Sequence, residues 1–278
     1  MSTWGRSSQA GFTLVELLVV MAIIGLLIAI MLPALGKVQD MTRRLTCANQ
    51  LRQQGLAMYV YADDHGDELP PADAGSGVSW DDLLSPYLEN RRVGLDLTEQ
   101  QVAKSSASVM LQCPDDPMVE SAPESAAARS YAMPRSMHPD ADAAEPTLGV
   151  GRTAAYEGNA REPFRLGVDV PDPAGTFLVV EWPAKWPGGL SLAPNRQGGA
   201  RFAAIDRPQQ QMGKFIEMVG SQFLFTQGMS THGKPTDRLF NYLYADGHVR
   251  AMRPKDTLGI DGTMAGMPTG PWTRDAKD

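Results

Sequence analysis

From Phe12 to Leu35 the chain reads FTLVELLVVMAIIGLLIAIMLPAL, twenty-four residues in which Thr13 and Glu16 are the only strongly polar positions. As a helix this run reaches about 36 Å, against roughly 30 Å of bilayer hydrocarbon, so it is long enough to span. A secretory signal has an apolar core of only about 7–15 residues followed by a small-residue cleavage site. Here the small residues Ala10 and Gly11 come before the run, and no A-x-A site follows it before Pro33. Beyond Pro33, apolar residues recur at steps of three or four: Leu35, Val38, Met41, Leu45, Ala48 and Leu51. That period predicts an amphipathic continuation of the same helix over 36–65, its apolar stripe packed on a sheet and Lys37, Arg43, Arg44, Arg52 and Gln53 facing water. Gly66 and the Pro70–Pro71 pair stop it.

The rest of the chain is patterned more weakly. Short helical signals lie in 78–112, including WDDLLSPYLENR and LTEQQVAKSSASVMLQ. The stretch 119–163, rich in Ala, Ser, Pro, Asp and Glu and poor in period, reads as an irregular surface insertion. Strand signals follow in GTFLVVE (175–181), FLFT (223–226) and 239–250. In the last of these, NYLYA and HVRAM flank Asp246–Gly247, a pair suited to a two-residue type I′ turn, which predicts a hairpin. The Gly- and Pro-containing tail 254–278 reads as irregular, and no interval of 20–50 residues repeats.

Composition narrows the function classes. With 278 residues and 43% apolar content the chain buries a real core. A net charge of −7, without a block of five Lys or Arg, gives no signal for direct grip on nucleic-acid phosphates. The two cysteines, Cys47 and Cys113, cannot make a four-thiolate zinc site. Cys47 falls about 21 Å beyond Pro33 along the helix and so outside the bilayer. In an oxidising compartment a Cys47–Cys113 bridge would staple the helix to the globular domain; two buried thiols are the alternative, and non-reducing mass spectrometry separates them.

Two residues in the apolar run stand out chemically. An ionised Glu16 costs about 2.5–3.5 kcal/mol on insertion scales unless it reaches water or a partner, so it is either a functional acid or a side chain snorkelling to the headgroups. Pro33 has no N–H for the carbonyl of Ala29, which predicts a kink or local melting, and Gly25 adds a second weak point. The residues GFTLVELLVVMAIIGLLIAIMLPAL closely resemble the class III signal of type IV prepilins and type II secretion pseudopilins, with Gly11 before the cut, Phe12 after it, and Glu16 and Pro33 at the family's acidic and proline positions. The resemblance implies a prepilin peptidase that cleaves between Gly11 and Phe12 and methylates the new amine of Phe12. It implies, too, that Phe12, Glu16, Gly25 and Pro33 serve assembly, Glu16 pairing with the amine of a neighbouring subunit as a register device. Lys37, Arg43, Arg44 and Arg52 outnumber the leader's Arg6, so a positive-inside count favours the opposite topology; the resemblance instead requires the leader to face the cytoplasm.

A second resemblance covers CANQLRQQGLAMYVYADDHGDELP, CPDDP, TFLVVEW and the stretch from His232 to Val249, which are similar to bacterial prepilin-leader proteins ending in a His, nine residues, Asp-Gly signature. Here thirteen residues separate His232 from Asp246, four more than that signature has. The implied fold is α+β and pilin-like: a long N-terminal helix on an antiparallel sheet with irregular insertions. The implied layout is a leader at 1–11, a transmembrane helix at 12–35, its amphipathic continuation at 36–65, an extracytoplasmic domain at 66–253 and a tail at 254–278.

The search for chemistry finds little else. Asp63, Asp64, Asp67 and Glu68 around His65 could offer oxygens to Ca²⁺ but lack the EF-hand pattern, and a solvated helix end is the simpler reading. His65, His138, His232 and His248 share no metal-site spacing, and no G-x-S-x-G elbow occurs. Trp182 and Trp186 could form a sugar or partner platform, or sit buried under a Pro-rich loop. No G-x-x-x-x-G-K-[ST] loop is present, so a filament built from this chain borrows a separate ATPase. The sequence therefore points to a non-enzymatic pilin-like or pseudopilin subunit with no cofactor and no catalytic metal. It would sit in a bacterial inner membrane with its C-terminal domain in the periplasm. Its partners would be the lipid bilayer, a prepilin peptidase, other pilin subunits and an inner-membrane assembly platform. The alternative is a periplasmic binding protein or hydrolase that uses the helix only as a tether.

Overall fold

The computed structural model describes residues 13–75, 78–89, 108–116, 119, 130–134, 164–181, 204–205, 216–219, 222–225 and 239–257. Helix α1 spans Leu14–Asp64. It begins in one compact unit, Met1–Thr42, and ends in a second, Arg43–Asp278.

In the first unit, the apolar side chains of α1 from Leu14 to Val38 are exposed, as an apolar helix without a protein partner must be. This stretch is long and apolar enough to cross a membrane. Helix α1 continues through Pro33, so the expected local melting is absent. A proline removes one donor and crowds one turn, a local cost that the flanking aliphatic turns of good helix formers outweigh.

The second unit is built on a sheet of order β5-β3-β4-β8-β9, formed by Ala204–Ile205 (β5), Tyr131–Pro134 (β3), Phe177–Glu181 (β4), Phe240–Tyr244 (β8) and Val249–Met252 (β9). Strands β3, β4, β8 and β9 pair antiparallel, and the short β5 joins β3 in parallel. Two smaller ladders stand apart from it: β1 (Asp73–Gly75) with β2 (Val78–Ser79), and β6 (Ile216–Val219) with β7 (Gln222–Phe225). Helix α2 covers Trp80–Glu89. This is an α+β pilin-like architecture.

Period-2 alternation gives the sheet two faces. Asn241, Leu243 and Ala245 face α1, whereas Phe240, Tyr242 and Tyr244 form the opposite core with Phe177, Val180 and Ala132. A register shift between Phe177 and Val179 lets both Leu178 and Val179 join the α1 side. The helix answers with Cys47, Leu51, Met58 and Tyr61, all buried, and Gly55 lets it come close: a Cβ there would lie 3.2 Å from Leu243 Cδ1.

Several expectations need correction. The apolar stripe of α1 is not covered along its whole length: Leu35, Val38 and Met41 of the first unit are about half exposed, and in the second unit Leu45 is half exposed while burial starts at Cys47 and Ala48. Spacing reports a common face but not where the partner surface begins. The stretch 119–163 is not irregular throughout, because Tyr131–Pro134 is the fully buried strand β3. Its four residues are too short for a periodic signal, and pairing with β4 makes them a strand. The hairpin is present, but its loop is Ala245–Asp246–Gly247 rather than a two-residue type I′ turn. Gly247 alone has positive φ (90°), and Gly247 N–H donates to Tyr244 O while Tyr244 N–H donates to His248 O. This is a three-residue loop with a glycine bulge. Tertiary contacts select it, since Ala245 N–H and Asp246 N–H donate to Thr176 O and Pro173 O. At the end of α1, Gly66 takes φ 68° and Asp67 N–H donates to Ala62 O at 2.8 Å, the long-range bond of a Schellman cap.

Candidate functional site

Helix α1 opens on Thr13-Leu-Val-Glu16, a T-x-x-E capping box. Thr13 N–H and Thr13 Oγ1 donate to Glu16 Oε2 at 2.8 and 2.7 Å, and Glu16 N–H donates to Thr13 Oγ1 at 3.3 Å. The acid therefore has an intrachain partner, which the sequence reading of Glu16 as a carboxylate awaiting another subunit did not include. The T-x-x-E spacing was the signal that would have found Thr13. A cap stabilises by about 0.5–2 kcal/mol, less than the roughly 2.5–3.5 kcal/mol that a charged group costs in hydrocarbon. A second partner for Glu16 would still be stabilising. Gly11 and Phe12 lie outside the described residues. Gly25 has nothing within 4 Å of where a Cβ would stand, and Pro33 lies inside the helix, so these two share a helix with Glu16 but form no cluster with it.

A second polar centre, wholly buried, lies where α1 meets the sheet. Cys47 and Cys113 form a disulfide with Cα atoms 5.1 Å apart. Beside it the Glu181 carboxylate accepts from Asn241 N–H and Asn241 Nδ2, each at 2.7 Å, and Asn241 Nδ2 also donates to Arg44 O at 3.3 Å. Tyr131 donates to Gln50 Oε1 at 2.7 Å, while Gln50 and Gln54 donate through Nε2 to Val109 O and Met110 O. Burial, with the charges of Glu181 and Asp116 added, pushes the Tyr131 phenol well above its ordinary range. Sequence reasoning missed Glu181 and Asn241. A lone Glu at the end of an apolar run and a lone Asn in an alternating one carry no signal until the sheet places them side by side.

Residues 6–32 match the family described as "Prokaryotic N-terminal methylation motif", and residues 37–163 match the one described as "Protein of unknown function (DUF1559)". The chain is also 34% identical, over 104 residues, to a protein named "Fimbrial protein" from Neisseria meningitidis serogroup A strain Z2491. These matches support a type IV pilin-like protein with a class III signal. A "Fimbrial protein" from N. meningitidis serogroup B strain MC58 is 33% identical over the same length. In both comparisons the aligned part is 36% of this chain and 59% of the relative, so the pilin-like chain spans less than two thirds of the curated relatives it matches. No solved structure matches.

The other candidates in this pilin-like chain fall into place around α1. Tyr59 donates to Ala245 O in the hairpin loop, while His248 pairs through Nδ1 with Asp246 Oδ1 at 2.6 Å and stacks on Tyr244. Desolvation, then the charge of Asp246, raises the Tyr59 phenol. His65 stacks on Tyr61 at 3.9 Å and Asp64 accepts from Tyr87, so the acidic run at 63–68 dresses an exposed helix end. Among the described residues the one grouping with metal-like proximity is Cys47, Cys113 and Glu181, whose sulfurs are joined to each other. His138, Trp182, Trp186 and His232 lie outside the described residues.

Proposed function

We propose that the chain is a structural, non-enzymatic subunit of a type IV pilus-like or type II secretion assembly. A prepilin peptidase cuts between Gly11 and Phe12 and methylates the Phe12 amine. The mature chain crosses the bacterial inner membrane once, with residues 66–253 outside the cytoplasm, and polymerises through α1 with other pilin-like subunits. An inner-membrane platform and a separate ATPase drive the assembly. The observation that carries this reading is Glu16, an acid held by its capping box one turn into an exposed apolar helix. The amine of a neighbouring Phe12 would add the charge that Thr13 cannot supply, so filament formation removes a cost each separate copy retains.

Two measurements test it. N-terminal sequencing of membrane-purified protein should return N-methyl-Phe12 as the first residue, and material that keeps Met1 contradicts the reading. Glu16→Ala should insert normally yet yield at least tenfold less sheared filament; wild-type filament yield from that variant removes the role given to Glu16.

A further inference from the structure

Cys47, Cys113 and Glu181 are each fully buried, and a sulfur from each cysteine and a carboxylate oxygen of Glu181 lie within 4.8 Å of one another. They come from three separated pieces of chain: α1, the loop after the short 3-10 turn Val109–Leu111, and the end of β4. We propose that, before the disulfide forms, these three side chains are a site for one thiophilic divalent cation of the Zn²⁺ class, so that the ion and the bridge are alternative ways of closing the same point.

The chemistry of the donor set favours this class of ion. Two thiolates select zinc over calcium or magnesium, and a carboxylate is an accepted third ligand in a tetrahedral shell whose fourth position goes to water. With Cα atoms 5.1 Å apart, the two cysteines can turn their sulfurs toward one centre without moving the backbone far. The carboxylate is already oriented. Asn241 N–H and Nδ2 hold one oxygen each, which is the outer-shell arrangement that fixes ligating carboxylates. Two thiolates and one carboxylate carry three negative charges, which in a fully buried place a dication would reduce to one. The newly made chain carries the thiols, so no reductant is needed in the cell; loading the ion releases the two thiol protons to solvent. Later oxidation by a disulfide-class oxidant takes two electrons from the sulfurs, joins them and expels the cation.

The test uses the full chain in detergent. A phosphine opens the bridge: it takes oxygen from one water, becoming the phosphine oxide, and each sulfur gains one electron and one proton. After anaerobic removal of reagent, the reduced chain should retain one Zn²⁺ per chain against a competing chelator, and the oxidised chain none. Co²⁺ in its place should give thiolate charge-transfer bands and intense four-coordinate visible bands. Glu181→Gln should weaken retention by at least the roughly 10–100-fold that losing a supporting group costs. X-ray absorption on the zinc-loaded wild-type chain needs no variant and should find two sulfur neighbours with light-atom ligands completing the shell. A reduced chain that keeps no metal, equal retention by the oxidised chain, unchanged affinity in Glu181→Gln, or an absorption edge without two sulfurs each overturns the proposal.

Discussion

Removing the Cys47–Cys113 bridge with the double substitution Cys47→Ala/Cys113→Ala should destabilise the second unit by about 4 kcal/mol, the value that loop-closure entropy gives for a bridge joining residues 66 apart. The two alanines leave small voids at fully buried positions, which adds to the loss. For a domain of this size each kcal/mol moves the midpoint by about 2–4 °C, so the expected shift is roughly 8–16 °C downward. Near-UV circular dichroism of the full chain in detergent is the suitable probe. It follows the packed rings of Trp80, Tyr131, Tyr242 and Phe177, all buried in the second unit. A chelator keeps adventitious metal out of the comparison, and chemically reduced wild-type chain should show a similar shift. A change below about 3 °C would mean that the bridge adds little constraint. In that case α1 is held on the sheet in the unfolded ensemble too, and the Gln50, Gln54 and Asn241 contacts carry more of the attachment than assigned to them.

Other outcomes follow from single groups. Asn241→Ala removes a charge-assisted bond to Glu181 and the bond to Arg44 O, and should cost about 2–4 kcal/mol in chemical denaturation; a loss under 1 kcal/mol would show that Glu181 finds other donors. Tyr131 holds its proton in the folded state to a pH well above its unfolded value near 10, so the unfolded chain binds fewer protons and stability falls as pH rises past about 10. Tyr131→Phe should flatten that alkaline slope by up to ~1.4 kcal/mol per pH unit, and an unchanged slope contradicts the burial argument. Gly247→Ala places a side chain at φ 90° and should lower stability by about 1–2 kcal/mol in the same unfolding assay, whereas Gly25→Ala, with open space around it, should leave the second unit unchanged.

How much was readable in advance differs along the chain. The apolar run, the helix stop at Gly66 and the strands within 175–181 and 239–250 follow from local pattern, because period, cap and turn residues act within a few positions of one another, whereas the pilin-like α+β fold followed from the resemblance carried by the N-terminal signal and the later motifs. The capping box is legible in Thr13-Leu-Val-Glu16 too, since its T-x-x-E spacing is local. What the sequence could not determine depends on surfaces meeting from far apart. Within the second unit, the start of burial at Cys47 rather than Leu45 depends on where the sheet lies. Strand β3 exists because β4 offers it a ladder, and the hairpin adopts a three-residue loop because Thr176 and Pro173 take its amides. The buried grouping of Glu181, Asn241 and Tyr131 around the disulfide likewise came only from the tertiary structure. Hydrophobic spacing encodes which face of an element is apolar; burial of single polar groups is settled by the partners that long-range closure brings to them.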